Sequence, residues 1–230
     1  MRRVILATPA HDHRVHVEFT YSLIQTVRAL AARGISAHPV FWPGEALVQR
    51  ARNELMRCAI ESGVDDVLFI DGDQEWQPEA AMALLDHPVD VVGIPIRKKT
   101  DDRELYNVRA VNELVRDPDT GLYEVDAVGT GFLRLSRAAT TAAWELSEEY
   151  EDADHTCRMV FDVRVIDGKL VGEDTVFCMK LKAAGFPIYI DPNHEIGHFG
   201  TKKYQGNFAD WYERYYKHEK EPLATEGAVG

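Results

Sequence analysis

Asp71 and Asp73 stand one residue apart at the end of the run Leu68-Phe69-Ile70-Asp71-Gly72-Asp73. Gly72 lets the backbone turn between them, so both carboxylates can face one open crevice. Two hard oxygen donors at that spacing suit Mg²⁺ or Mn²⁺ bridging to a diphosphate, because these ions favour carboxylate plus phosphate oxygens over an all-protein cage. The plainer alternative is an ordinary Asp-Gly turn. A second acidic pair, Glu173-Asp174, follows Gly172 at the start of a helical pattern, where the helix macrodipole favours negative charge whatever the function. His194 and His198 come late in the chain; each is a possible metal ligand or a hydrogen-bonded structural histidine.

The elements around these residues can be read from hydrophobic periodicity. Val4 to Ala7 is a buried first strand closed by Thr8-Pro9, and Val17 to Arg33 is a helix with Phe19, Leu23, Val27 and Leu30 on one face. Ser36 to Trp42 reads as a strand. Glu45 to Ser62 reads as a helix in which Leu47, Ala51, Leu55 and Ala59 recur every fourth residue. Asp66 to Ile70 is a short apolar strand that delivers Asp71 and Asp73 at its C-terminal end. Pro78 to Leu85 is a helix and Val89 to Ile96 a strand. The polar stretch from Lys98 to Glu124 carries the turn Asp117-Pro118-Asp119-Thr120-Gly121 and predicts a hairpin excursion. Val125 to Leu135 contains Gly129-Thr130-Gly131, where glycine marks a bulge or a close backbone approach. A helix is expected from Ser136 to about Glu149, then an acidic loop, a strand from Met159 to Val165, a helix from Glu173 to Ala184, and a last strand from Pro187 to Ile190. Alternating strands and helices imply a mostly parallel α/β sheet with chemistry at the strands' C-terminal ends.

The order of these motifs resembles the GT-A class of glycosyltransferases, family 2-like and of the small bacterial or bacteriophage type. The resemblance runs through Thr8-Pro9-Ala10, Arg52-Asn53, Asp71-Gly72-Asp73, Gly129-Thr130-Gly131-Phe132, Gly172-Glu173-Asp174 and the pair His194 and His198. It implies one GT-A (Rossmann-like) domain over residues 1–222, helices flanking a mostly parallel sheet with a small antiparallel excursion, and a disordered tail at 223–230. By the same resemblance Asp73 is the metal ligand and Asp71 the contact to the ribose or sugar, also close to the metal. His198 completes the Mn²⁺ or Mg²⁺ site, with His194 in reserve. Asp174, beside Glu173, is the general base that takes the acceptor hydroxyl's proton. Thr8, Pro9 and Ala10 form the loop under the base, Arg52 and Asn53 lie near the nucleotide, and Gly131 and Phe132 lie beside the acceptor or transferred sugar. Trp76 stacks on a sugar ring or acceptor, or else is a core tryptophan. The implied donor is a nucleotide-sugar, UDP-sugar favoured, and the implied acceptor a saccharide or small hydroxylated molecule, with protein or modified nucleic-acid bases as further acceptors.

Three other readings compete. A haloacid-dehalogenase phosphatase would carry the Asp pair on its first strand rather than the third. A sugar nucleotidyltransferase needs a glycine-rich basic loop after that first strand, and Thr8-Pro9-Ala10-His11-Asp12-His13 is not one. A non-catalytic nucleotide-sugar binding module predicts damage to the acidic motifs, which stand intact. Composition is that of a globular protein: 230 residues, 45% hydrophobic and 28% charged, with a net charge of -12 that disfavours a large nucleic-acid surface. Arg97-Lys98-Lys99 and Lys202-Lys203 are the two short clusters that could line a local basic groove, though solvated surface charge is the plainer reading of each. Cys58, Cys157 and Cys178 form no CxxC pair and read as reduced thiols. The opening apolar run stops at Pro9 and nothing approaches a membrane span, so a cytoplasmic location is expected.

Overall fold

The computed structural model describes residues 1–101, 103–152 and 155–216; the expected tail at 223–230 lies outside them. In chain order the first half runs β1 (Arg3–Ala10), α1 (Val17–Ala32), β2 (Ser36–Pro43), α2 (Val48–Ser62), β3 (Asp66–Ile70), β4 (Gln74–Glu75), α3 (Pro78–Asp86) and β5 (Val91–Gly93). The second half runs β6 (Val108–Arg109), β7 (Tyr123–Val125), β8 (Ala127–Val128), β9 (Phe132–Ser136), α4 (Arg137–Glu145), β10 (Glu149–Asp152), β11 (His155–Arg158), β12 (Arg164–Ile166) and β13 (Lys169–Val171). It closes with α5 (Glu173–Ala183), β14 (Ile188–Ile190), β15 (Gly197–Phe199), β16 (Lys203–Tyr204), α6 (Phe208–Trp211) and a π-helical turn at Tyr212–Tyr216.

Seven strands form the central sheet in the order β2-β1-β3-β9-β5-β14-β7. The pairs β1–β2, β1–β3 and β5–β14 are parallel, while β9 and β7 run against their neighbours. The mostly parallel α/β sheet expected from the sequence is therefore present. Alternation along β1 shows how both faces become core: Val4 and Leu6 pack with Phe19, Leu23 and Leu30 of α1 and with Leu84 of α3, whereas Ile5 and Ala7 pack with Leu55 and Met56 of α2. Ala139 of α4 and Phe177 of α5 join the latter face. All five residues of β3 are buried, as a central strand covered on both sides requires.

Departures from the expected elements have local causes. β1 does not stop at Ala7; it runs to Ala10 because β2 continues beside it, with Thr8, Pro9 and Ala10 registered against Phe41, Trp42 and Pro43. α2 starts at Val48 rather than Glu45, and the Glu45 carboxylate accepts from the Leu47 N–H ahead of it. α4 ends at Glu145, and the expected acidic loop is instead flanked by the antiparallel pair β10–β11. Met159 to Val165 is not a strand over its length. Val160 and Phe161 are buried without a neighbouring strand, because the Asn53 side chain takes the ladder's place: its Oδ1 accepts from Phe161 N–H at 2.7 Å and its Nδ2 donates to Phe161 C=O at 3.2 Å. The turn at Asp117 forms as expected, its carboxylate accepting from the N–H groups of Asp119 and Thr120, but the ladder across it is a single bridge between Arg116 and Tyr123. The three cysteines are free. No helix among the described residues is long and apolar enough to cross a membrane.

Candidate active site

β3 delivers Asp71 and Asp73 into the mouth of a cleft of about 550 Å³. Its wall is built by Pro9 and Ala10 at the end of β1, by His11, Asp12, Arg14, Val15 and His16 in the following loop, and by Glu45, Ala46 and Val48 at the entry to α2. That loop is seated on the turn between the two aspartates. His16 N–H donates to Gly72 C=O at 2.9 Å, and a Cβ on Gly72 would lie 2.9 Å from Val15 Cγ1. Only glycine accommodates this approach without a shift. On the other side Asp71 N–H donates to Gly131 C=O at 2.9 Å, and a Cβ on Gly131 would come within 3.0 Å of Asp71 Oδ2.

The Arg52 guanidinium is the hub of the acidic groups. Although 4% exposed, it contacts Asp71 Oδ1 at 3.1 Å and both Glu173 Oε1 and Asp174 Oδ1 at 3.0 Å. α2 carries it and the first turn of α5 carries the last two carboxylates, so one guanidinium joins the end of β3 to the start of α5. Desolvation opposes its charge, but Asp71, Asp174 and Glu173 outweigh it and hold the group firmly protonated. Burial pushes the Asp71 carboxyl upward, with Arg52 pulling the other way and the charges of Asp73 and Asp174 adding to the rise. Thr130 donates its hydroxyl to Asp174 Oδ1, leaving Oδ2 with no hydrogen bond among the described residues.

Asp73 has a different environment. Lys99 Nζ is 2.5 Å from its Oδ2 and His198 Nε2 3.6 Å from the same oxygen, while Oδ1 is buried with no hydrogen-bond partner among the described residues. Desolvation would raise this carboxyl, but the neighbouring His198 and Lys99 prevail and hold it at about 2. His198 sits on β15, which pairs with β4 and β16, and its Nδ1 donates to Arg97 C=O at 2.9 Å. That bond leaves Nε2, the nitrogen facing Asp73, with its lone pair available as a ligand. An orphaned oxygen on Asp73, an imidazole nitrogen near the other oxygen of the same carboxylate and an excess of carboxylates over cations (Asp71, Asp73, Glu173 and Asp174 against Arg52 and Lys99) fit a hard divalent ion.

Asp71, Asp73, Glu173, Asp174, His198, Arg52 and Gly131 are thus brought into one region, and Pro9 and Ala10 line the cleft. Other expected site residues are not placed there. Thr8 is 1% exposed within β1 and absent from the cleft wall. Asn53 is held by Phe161's backbone, not turned toward a nucleotide. Phe132 is fully buried. Trp76 is a core residue: it is 3% exposed, its indole N–H donates to Thr26 Oγ1 at 2.8 Å, and it packs edge-on against Phe19 and Phe132. Of the two roles open to it, over a sugar ring or in the core, its burial fits the core one. His194 lies 3.6 Å from Asp191, which is also paired with His87, and not beside Asp73. Lys99, Arg14 and Thr130 were not anticipated. Lys99 belonged to a basic run read as solvated charge, and no local spacing pairs it with Asp73.

No protein-family model matches the chain, and no curated protein matches it in sequence. Among solved structures it is similar to protein A197 from STIV, at 19% identity and a TM-score of 0.53, with 87% of this chain and 86% of that one covered. It is also similar to a mutant Drosophila β-1,4-galactosyltransferase 7 in complex with manganese, UDP-Gal and xylobiose, at 13% identity and a TM-score of 0.49, covering 99% of this chain and 83% of that one. S. aureus TarS in complex with UDP aligns at 14% identity and a TM-score of 0.41, covering 83% of this chain and 58% of that one. At 19% identity the likeness to A197 is one of fold.

Proposed function

We propose that this chain is a metal-dependent glycosyltransferase that takes a sugar from a nucleotide-diphosphate sugar, UDP-linked in the favoured case, and passes it to an acceptor hydroxyl. The observation that carries the reading is the pairing of Asp73 with His198 at the end of β3, one residue from an Asp71 that shares Arg52 with Asp174. A cation can therefore be held at Asp73 and a base at Asp174, with Asp71 and Arg52 between them. The wall made by Pro9, Ala10, His11 and Arg14 receives the nucleotide, and Arg14, exposed and without a hydrogen bond or ion pair among the described residues, is free to meet its phosphates.

Asp73 and His198 would hold Mn²⁺ or Mg²⁺, which supplies positive charge to the departing nucleoside diphosphate. Asp174 receives the acceptor's proton on Oδ2, the oxygen that Arg52 and Thr130 leave free, while their bonds to Oδ1 fix the carboxylate's orientation. Asp71 is positioned by Arg52 to accept from a donor hydroxyl. Glu173 contributes to orienting Arg52 rather than to proton transfer. The acceptor is a saccharide or another small hydroxylated molecule. In place of turnover, nucleotide-dependent stabilisation is the direct test: a melting-temperature panel of nucleoside diphosphates with Mn²⁺ or EDTA, on wild type and Asp73→Asn. A ligand at about 100 times its dissociation constant adds about 2.7 kcal/mol, a rise of several degrees at this size. Stabilisation by one nucleotide only with metal and an intact Asp73 supports the reading; an equal response from Asp73→Asn ends it.

A further inference from the structure

Lys99 holds one oxygen of the carboxylate that a cation at Asp73 would bind. Its Nζ is 2.5 Å from Asp73 Oδ2, the oxygen that also faces His198. A divalent ion of this class sits about 2.0–2.1 Å from a carboxylate oxygen. With the ion on either oxygen of Asp73, an ammonium held on Oδ2 would be only a few ångströms from a doubly charged ion, an arrangement that Coulomb repulsion opposes strongly in a partly desolvated site. Although Asp73 Oδ1 has no partner among the described residues, Lys99 and the metal therefore compete for one carboxylate.

The surroundings allow the lysine to yield without the loop moving. Lys98 N–H donates to Leu105 C=O at 2.7 Å, Thr100 N–H donates to Lys98 C=O at 2.8 Å, and Asp101 pairs with Lys202 at 2.5 Å. The backbone on both sides of Lys99 is thus held, while its side chain is 34% exposed and ends in a flexible four-carbon stem. Three other cations of the two basic runs are engaged elsewhere: Arg97 on Gln205 C=O, Lys202 on Asp101 and Lys203 on Glu75. Lys99 alone among these is committed to Asp73.

Resting on the donor-site reading above, we propose that Lys99 is an exchangeable counter-ion: it neutralises Asp73 when no divalent ion is bound, and on metal entry it transfers its ammonium to the phosphates of the incoming nucleotide. The exchange makes metal and nucleotide binding mutually supportive. Metal alone must displace an ion pair without return, whereas metal entering with a diphosphate gives the released ammonium a new anionic partner.

Mn²⁺ binding followed by the electron paramagnetic resonance of the free ion tests this without turnover, on wild type, Lys99→Gln, Lys98→Gln and Asp73→Asn. Removing one charge-assisted hydrogen bond from the competing state should tighten Mn²⁺ binding in Lys99→Gln by about tenfold when no nucleotide is present. Lys98→Gln, which deletes the same charge one residue away, should stay within about twofold of wild type. At saturating Mn²⁺, UDP should bind Lys99→Gln about tenfold more weakly than wild type. Equal Mn²⁺ affinity in Lys99→Gln and wild type overturns the proposal, as does UDP affinity that ignores Lys99. Asp73→Asn judges the underlying site separately: Mn²⁺ bound as well by Asp73→Asn as by wild type would show that the ion sits elsewhere, and both readings would fall. Lys99→Met, an apolar replacement of similar length, should repeat both Lys99→Gln shifts.

Discussion

Arg52 and Asp174, separated by 122 positions in sequence, meet at 3.0 Å with the arginine almost wholly buried. The same guanidinium reaches Asp71 and Glu173, so the charge that orients the candidate base also secures the packing of α2 against the start of α5. Removing it leaves three carboxylates crowded without a counter-charge. Arg52→Met should lower stability by about 3–5 kcal/mol in a urea titration at neutral pH, because breaking a buried pair strands its partners. The deficit should shrink as the pH falls and the freed carboxylates protonate. Arg52→Lys should recover only part of it, since a single ammonium cannot span three carboxylates as a planar fork does.

Gly72 carries a separate constraint. Val15 Cγ1 would lie 2.9 Å from a Cβ at that position, so Gly72→Ala must shift Val15, which seats the 11–16 loop on the aspartate turn. The global cost should be modest, about 1–3 kcal/mol as for other overpacked sites. The local effect should be larger: nucleotide affinity measured by calorimetry with Mn²⁺ present should fall about tenfold. Unchanged affinity would mean that the loop does not shape the nucleotide site.

For Trp76 a core role and an acceptor role predict different outcomes. Trp76→Phe keeps most of the packing against Phe19 and Phe132 and deletes the indole hydrogen bond to Thr26. A loss of about 1–3 kcal/mol in stability is expected, from the Thr26 oxygen left unmatched in the core. Acceptor KM should not change. A raised KM with unchanged melting would return Trp76 to the acceptor site.

How far the sequence reveals this molecule depends on the range of the interaction. β1, α1, α2 and β3 were legible because their apolar spacing is local, and Asp71 and Asp73 follow directly from where β3 ends. Arg52 was placed near the nucleotide, yet its three carboxylate partners come from β3 and α5, and no periodicity in α2 announces them. The family resemblance sets Asn53 with Arg52 near the nucleotide, but successive helix positions point about 100° apart, and Asn53 turns to the backbone of Phe161 instead. β10 and β11 were missed because Glu149, Glu151 and Asp152 are poor strand formers; cross-strand pairing to residues 155–158 overrides that preference. Lys99 was invisible for the same reason as Arg52: its partner lies 26 positions away across a folded loop.

His194 and His198 are separated by their partners. His198 Nε2 faces Asp73, whereas His194 Nε2 lies 3.6 Å from Asp191. His198→Ala should weaken Mn²⁺ binding by one to two orders of magnitude, about what loss of an inner ligand or its support costs. His194→Ala should leave Mn²⁺ affinity unchanged. Competition with a fluorescent chelator reads both, and the opposite ranking would move the metal to the Asp191 end of β14.

Asp191 itself should make stability depend on pH in a defined direction. It is 2% exposed; burial alone would raise its carboxyl, but the hydrogen bonds from His87 and from Asn193 N–H, with the charge of His194 nearby, hold it below the ordinary aspartate value. A carboxyl depressed in the folded state binds its proton more weakly there than in the unfolded chain, so it adds stability above about pH 3.9, the unfolded value. That contribution is lost as the pH falls through the lower folded value. Asp191→Asn should therefore be less stable than wild type at pH 6, by about 1–3 kcal/mol for a charge-assisted pair reduced to a neutral one. The two curves should converge as the pH drops below 4. A gap that stays constant from pH 6 to pH 3 in urea titrations would show that the Asp191 carboxylate charge contributes nothing and that its hydrogen-bond geometry alone matters.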